Sequence, residues 1–163
     1  MGYRVSVITL SDKGAKGERK DESGPLIQKM VTAAGYEVVG YKILSDDREA
    51  LTKELVEICD ARKADLILTT GGTGFSARDM APEATMDAIE RNVPGIAEAM
   101  RMHGLQYTNR CMLSRAASGI RKETLIVNLP GSPRAVKENL EYILPVLKHG
   151  LEILTGNASE CAR

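Results

Sequence analysis

The stretch ADLILTTGGTGFSARDMAPEAT, residues 64–85, decides how the rest of the chain is read. ADLILTT is a short, nearly continuous apolar run, the pattern of a strand buried on both faces as in a parallel sheet. GGTG, residues 71–74, follows at once. Glycines tolerate positive φ and let successive amides approach a ligand, so this loop is either a tight turn or a nest for phosphate or another anion. No GK[ST] follows, which excludes a P-loop, and the spacing misses the dinucleotide fingerprint. Arg78 and Asp79 come just after, one able to fork onto phosphate oxygens and the other able to hold a hard cation. Pro82 then opens a helix.

Working upstream, Tyr3 to Leu10 is a short β-rich run, and SDKGAKGERKDE (11–22) is a polar loop. Ser23 is placed to cap a helix with Pro25 in its first turn, Leu26, Ile27, Met30, Val31 and Ala34 at helical spacing, and Gly35 as its stop. YEVVGYKIL (36–44) is a second strand. Asp46 and Glu49 have capping-box spacing for a helix with Leu51, Leu55, Ile58 and Cys59 on one face. Strand, helix, strand, helix, strand up to residue 70 predicts an α/β fold around a mostly parallel sheet with right-handed crossovers.

Downstream, helices are expected near 82–91 and 94–104, strands near Cys111–Arg115 and Leu125–Asn128, and helices from PGSP to about Leu154, broken in two at Pro145. Met30, Leu51, Leu55, Met86 and Ile89 are assigned to core or subunit contacts, Phe75 to packing or else to covering a ligand, and Cys59 and Cys111 to the buried apolar set. With no linker or repeat, residues 1–163 read as one domain with a short polar tail from about 156.

The chain has 163 residues, 22 basic against 22 acidic side chains and 43% hydrophobic residues, the values of an ordinary globular domain able to bury its own core. The charge balance argues against general nucleic-acid or membrane binding. No apolar run is long enough to cross a bilayer, and a cytoplasmic location is expected. MGYRVS matches a myristoylation pattern, but a strand begins at Tyr3; NAS (157–159) matches a glycosylation acceptor but reads as polar tail. Three scattered cysteines and two isolated histidines form neither a disulfide framework nor a zinc pattern.

The site can be assembled in outline from residue types alone. In open α/β sheets ligands sit beyond the carboxyl ends of strands, where GGTG lies. Asp46 or Asp47, at the end of the second strand, could join Asp79 around a magnesium ion, which takes one or two carboxylates plus substrate phosphates. The bland alternatives are that Asp46 only caps a helix, and that Arg78 with Asp79 is a solvated pair.

TTGGTGFSARDMAPEAT resembles the signature of the molybdenum-cofactor biosynthesis family that contains MogA, MoaB and the gephyrin G domain. ITLSD, DESGP, ILSDDRE, MLSRAASGIR and LIVNLPGSP resemble its other motifs in order, over nearly the whole chain. The resemblance implies a three-layer α/β/α sandwich, a homotrimer, and molybdopterin adenylyltransfer: ATP and molybdopterin give adenylylated molybdopterin and pyrophosphate with Mg2+, followed by hand-over to a MoeA-like molybdenum-insertion enzyme. It implies that Asp46 and Asp79 are the essential acids, and that Gly71, Gly72, Thr73 and Gly74 form the nucleotide and pterin loop. Ser11, Asp12, Ser114, Gly119, Pro130 and Gly131 are further binding positions by the same match.

The attacking group implied is a terminal phosphate, already anionic, so no side-chain base is required; positioning and electrostatics must lower the barrier between two anions. Arg78, Arg115 and Arg134 are candidates for neutralising the remaining charge. Two departures stand out. Ala81 replaces a threonine before the proline and cannot cap the Pro82 helix, and Ser132 in PGSP stands where relatives often carry asparagine, although it can still cap the last helix. A non-catalytic molybdopterin-binding protein is the alternative, and a scaffold a third reading.

Overall fold

The structure, a computed structural model, describes residues 2–158; Cys161 and the Ser159 of the NAS pattern lie outside the described residues. In chain order the elements are β1 (Arg4–Leu10), α1 (Asp12–Ala15), α2 (Ser23–Ala33), β2 (Glu37–Leu44), α3 (Arg48–Asp60), β3 (Leu66–Thr70), α4 (Ala81–Ala88), β4 (Arg91–Asn92), α5 (Pro94–Gly104), a 3-10 helix (Asn109–Leu113), β5 (Ser118–Arg121), β6 (Thr124–Leu129) and α6 (Pro133–Leu154). The sheet runs β2-β1-β3-β6-β5-β4; its first four strands are parallel, β5 is antiparallel to β6, and β4 is antiparallel to β5.

Alternation along the central strands divides the core. Val5, Val7, Leu66, Leu68, Leu125 and Val127 face one layer, with Ile27, Met100, Leu140 and Leu147 from α2, α5 and α6. Ile8, Leu10, Ile67 and Ile126 face the other, with Leu51, Leu55 and Ala84 from α3 and α4. The result is the expected three-layer α/β/α arrangement. All five residues of β3 are buried, as its apolar run requires. Each large side chain removed from water in this way contributes about 1.5–3 kcal/mol before entropy is counted.

Several local expectations shift. Residues 111–115 form no strand: a 3-10 turn occupies Asn109–Leu113, and the added strand is β5, which pairs back on β6 through a turn at Lys122 with φ +54. The polar loop after β1 contains the four-residue helix α1, capped by the Ser11 side chain. Ser23 does not cap α2. The Asp21 carboxylate accepts from the Gly24 amide instead, while the Ser23 hydroxyl donates to the Gly131 carbonyl at 2.7 Å.

Helix α6 runs unbroken through Pro145. Pro145 removes the amide that would bond the Glu141 carbonyl, and both residues are exposed, on the solvent side of the helix. Ser132 caps this helix, accepting from the Ala135 amide. Phe75 is 71% exposed rather than packed, Met86 is 48% exposed, and Cys111 is only partly buried; Cys59 is fully buried, and that burial pushes its thiol up to about 11.

Candidate functional site

The loops after β1, β2, β3 and β6 converge at one end of the sheet because the four strands are parallel and in register. Leu10 of β1 is level with Leu44 of β2, so Ser11–Asp12 and Ser45–Asp46 leave the sheet side by side. The Asp12 amide donates to the Asp46 carboxylate at 3.1 Å and the Asp46 amide donates to the Asp12 carboxylate at 3.0 Å. Arg78 forks onto Asp12 through Nε and Nη2 at 3.0 and 2.8 Å.

These bonds decide which aspartate does what. The cap of α3 is Asp47, not Asp46: its Oδ1 accepts from the Ala50 amide at 2.8 Å. Asp46, already exchanging bonds with Asp12, is released from capping. Burial pushes the Asp46 carboxyl above the ordinary carboxylate range, and the negative charges of Asp12 and Asp79 push the same way. Asp12 moves in the opposite direction because the Arg78 guanidinium and the Asp46 amide both favour its charged form. Asp79 keeps one oxygen on the Ser76 amide at 2.9 Å and lies against Gly74, where an added Cβ would come 2.9 Å from Oδ2.

A half-buried carboxylate repelled by two others is an arrangement that a divalent cation relieves, so the donor chemistry of Asp46 and Asp79 fits magnesium. Among the described residues no cluster of three or more His, Cys, Asp or Glu is arranged to hold an ion alone. Substrate oxygens would have to complete the coordination, as magnesium commonly requires.

The glycine loop adopts the backbone its composition predicts: Gly71 and Gly72 have φ +93 and +70. A side chain at 71 would meet the Leu10 carbonyl at 2.5 Å, and Gly131 approaches Gly71 so closely that its own Cβ would lie 3.4 Å from the Gly71 Cα. The Gly71 amide is not free for a ligand, because it donates to the Leu129 carbonyl at 3.2 Å. Ala81, expected only as a missing cap, donates its amide to the Gly72 carbonyl.

Two clefts flank the turn after β6. One, of about 320 Å³, is lined by Ser11, Gly14, Arg19, Lys20, Thr70, Gly71 and Gly131 among others. The second, of about 260 Å³, lies between α5, the 3-10 helix and α6, and its lining includes Met100, Arg110, Cys111, Ser114, Pro130 and Asn139. Asn139 is 8% exposed, and its Oδ1 has no donor among the described residues. Arg19, Lys20, Arg110 and Asn139 were not anticipated; the basic pair inside GERKDE was the one available signal.

Of the expected site residues, Ser11, Gly71, Gly131, Ser114 and Pro130 line the clefts, Asp12 and Asp46 bond each other next to Ser11, and Asp79 lies against Gly74, near enough for its charge to raise Asp46. Gly119 does not join them. It lies in β5 opposite Asn92, where a side chain would meet Ile89 Cδ1 at 2.5 Å, so packing accounts for it. Each of the three candidate arginines already has a protein partner. Arg78 is held by Asp12, Arg134 is 87% exposed and pairs with Glu138 one helical turn away, and Arg115 is bound to the carbonyls of Gly74 and Asp79 and to the Glu83 carboxylate.

Residues 6–149 match the family model described as a probable molybdopterin binding domain. The chain is 38% identical over 155 residues to the molybdopterin adenylyltransferase of Helicobacter pylori, covering 94% of this chain and 88% of that protein. It is 34% identical over 155 residues to the molybdopterin adenylyltransferase of Escherichia coli K12, covering 91% and 79%. A crystal structure of the molybdopterin biosynthesis enzyme MoaB of Thermus thermophilus superimposes with a TM-score of 0.89 at 45% identity, covering 94% of this chain and 97% of that one.

Proposed function

Because the chain belongs to the molybdopterin-binding-domain family of molybdenum-cofactor biosynthesis, we propose that it is a molybdopterin adenylyltransferase. A terminal phosphate oxygen of molybdopterin forms a bond to the α-phosphorus of ATP, the bridging bond to the β-phosphate breaks, and its electron pair leaves with pyrophosphate. The observation that carries this reading is Asp46, held half-buried against the charges of Asp12 and Asp79 beside a glycine loop. Such a carboxylate cluster suits phosphate chemistry through a divalent cation, since by itself it would repel the substrate's anions.

The nucleophile is ionised at neutral pH, so no imidazole is needed near it. His103 is in fact stacked on Tyr142 at 4.0 Å and lines neither cleft. Asp46 and Asp79 would hold Mg2+, which when bound supplies positive charge between the phosphates. Asp12 orients Asp46 through the paired amide bonds and is itself held by Arg78. Arg19 and Lys20 stand where they would meet a polyphosphate in the larger cleft. Ser114, Pro130 and Asn139, whose Oδ1 has no donor among the described residues, line the second cleft, which suits the pterin.

A homotrimer, hand-over to a MoeA-like insertion enzyme and a cytoplasmic location follow from the same resemblance. The exposed Met102, Tyr142, Val146 and Ile153 on α5 and α6 support a subunit contact, and among the described residues no helix is long and apolar enough to cross a membrane. The test is pyrophosphate release from Mg-ATP with and without molybdopterin, on the wild type, Asp46→Ala and Asp79→Ala. Release that depends on molybdopterin and on both acids is the expected result. The alternative is a MoaB-like protein that binds molybdopterin or a precursor without catalysis. Wild-type binding of molybdopterin with no consumption of ATP would establish it.

A further inference from the structure

The carbonyls of residues 72–74 accept from protein donors, while the amides of residues 73–75 have no protein acceptor among the described residues. The Gly72 carbonyl accepts from the Ala81 amide at 3.1 Å, and the Thr73 carbonyl accepts from the Arg115 amide at 2.9 Å. The Gly74 carbonyl accepts from Arg115 Nε at 2.8 Å. In a trans peptide the carbonyl of one residue and the amide of the next point in opposite directions. The Thr73 and Gly74 carbonyls both turn toward Arg115, so the amides of Gly74 and Phe75 point away from it, and the Gly72 carbonyl, held by Ala81, fixes the Thr73 amide separately. Among the described residues those three amides donate to no protein acceptor.

The same guanidinium holds the far end of the segment, donating from Nη2 to the Asp79 carbonyl at 2.7 Å and pairing through Nη1 with Glu83. We infer that Arg115 is a positioning residue: it aligns the Gly74 and Phe75 amides, next to the Thr73 amide set by Ala81, into a phosphate-binding nest and, with the same side chain, sets the backbone of Asp79 beside it. The reading rests on the adenylyltransfer proposal for the identity of the phosphate, which would be one of ATP's. Arg115 never touches that phosphate. Its charge polarises the peptides from behind, and its planar fork reaches acceptors at residues 74, 79 and 83 that a single ammonium cannot reach together.

Each of the three peptides is held by a different donor, so the effects of substitution are graded. The 72–73 peptide depends on Ala81 and the 73–74 peptide on the Arg115 main chain, and both survive a change of side chain. Only the 74–75 peptide depends on the guanidinium. In 15N amide spectra of the full chain titrated with inorganic pyrophosphate, Thr73, Gly74 and Phe75 should shift together in the wild type. In Arg115→Lys the Phe75 response should vanish while that of Thr73 persists, and the KM for ATP should rise about tenfold, the size of one lost charge-assisted hydrogen bond.

A lysine that restores wild-type KM and the Phe75 response would show that charge alone matters and would overturn the inference, as would a wild-type response absent from residues 73–75. If Arg115→Lys fails to fold, Glu83→Ala, which frees Nη1, is read in the same way: a weakened Phe75 response supports the role and an unchanged one overturns it. Failure of the enzyme reading is separable. A wild type that never turns over ATP but shows the three-amide response keeps the nest and loses adenylyltransfer.

Discussion

Asp12 and Asp46, 34 residues apart, each donate a main-chain amide to the other's carboxylate. Two negative groups are held together this way only because backbone dipoles and Arg78 offset part of their repulsion. Asp46, which has no guanidinium bonded to it, is pushed up first by burial and then by the residual repulsion of Asp12 and Asp79.

If that repulsion serves phosphate chemistry, removing either acid is costly. Asp46→Asn and Asp79→Asn should each lower molybdopterin-dependent pyrophosphate release by at least about 100-fold, the usual size of losing a preorganised electrostatic contact. Steady-state rates with normal circular dichroism are the check, and activity within tenfold of wild type would remove these residues from the chemistry.

Asp46 and Asp12 should have opposite effects on stability. The Asp46 pKa is raised on folding, so its contribution is most favourable below the unfolded value near 4 and is lost as pH rises through the folded value. Asp46→Asn should therefore raise the melting temperature at pH 7, with the gain shrinking in acid. The Asp12 pKa is lowered, so its stabilising contribution is present above pH 4 and lost as pH falls through the folded value. Asp12→Asn should lower the melting temperature at pH 7, and that difference should also fade in acid. Melting curves from pH 3 to pH 8 measure both signs.

Gly119 is a packing residue, and its substitution should report on stability rather than ligand affinity. A methyl there meets Ile89 at 2.5 and 2.7 Å and the Arg91 carbonyl at 2.8 Å. Gly119→Ala should cost about 1–3 kcal/mol, or several degrees in melting temperature, with the KM for ATP within about twofold of wild type. A large rise in KM at unchanged stability would return Gly119 to the site.

Pro145 leaves an exposed helix one hydrogen bond short. Pro145→Ala restores a donor to the Glu141 carbonyl and should stabilise the protein by up to about 3 kcal/mol in urea unfolding. A destabilised variant would mean that the proline matches a local bend in α6.

Arg134→Ala should change neither KM for ATP nor stability appreciably, staying within about twofold in the kinetic constant. Its side chain is 87% exposed, and an exposed pair one helical turn apart contributes little. A tenfold loss of ATP affinity would restore its phosphate role.

What could be read from the chain alone was whatever depends on neighbours in sequence. Period and length identified β1, β2, β3, α2, α3 and α5; the buried run before Gly71 announced a parallel sheet; and the glycines announced positive φ. Together with the motif order, this was enough for the three-layer fold and the family. Tertiary structure alone decided which aspartate caps α3, that Asp21 rather than Ser23 caps α2, and that β5 turns back antiparallel on β6. It also decided that Arg78 serves Asp12 across 66 residues and that Arg115 serves the carbonyls of a loop some 40 positions earlier. The physical reason is common to all of these. A carboxylate or guanidinium takes its role from the partner that reaches it, and that partner is chosen by how strands align across the sheet, which no local pattern encodes.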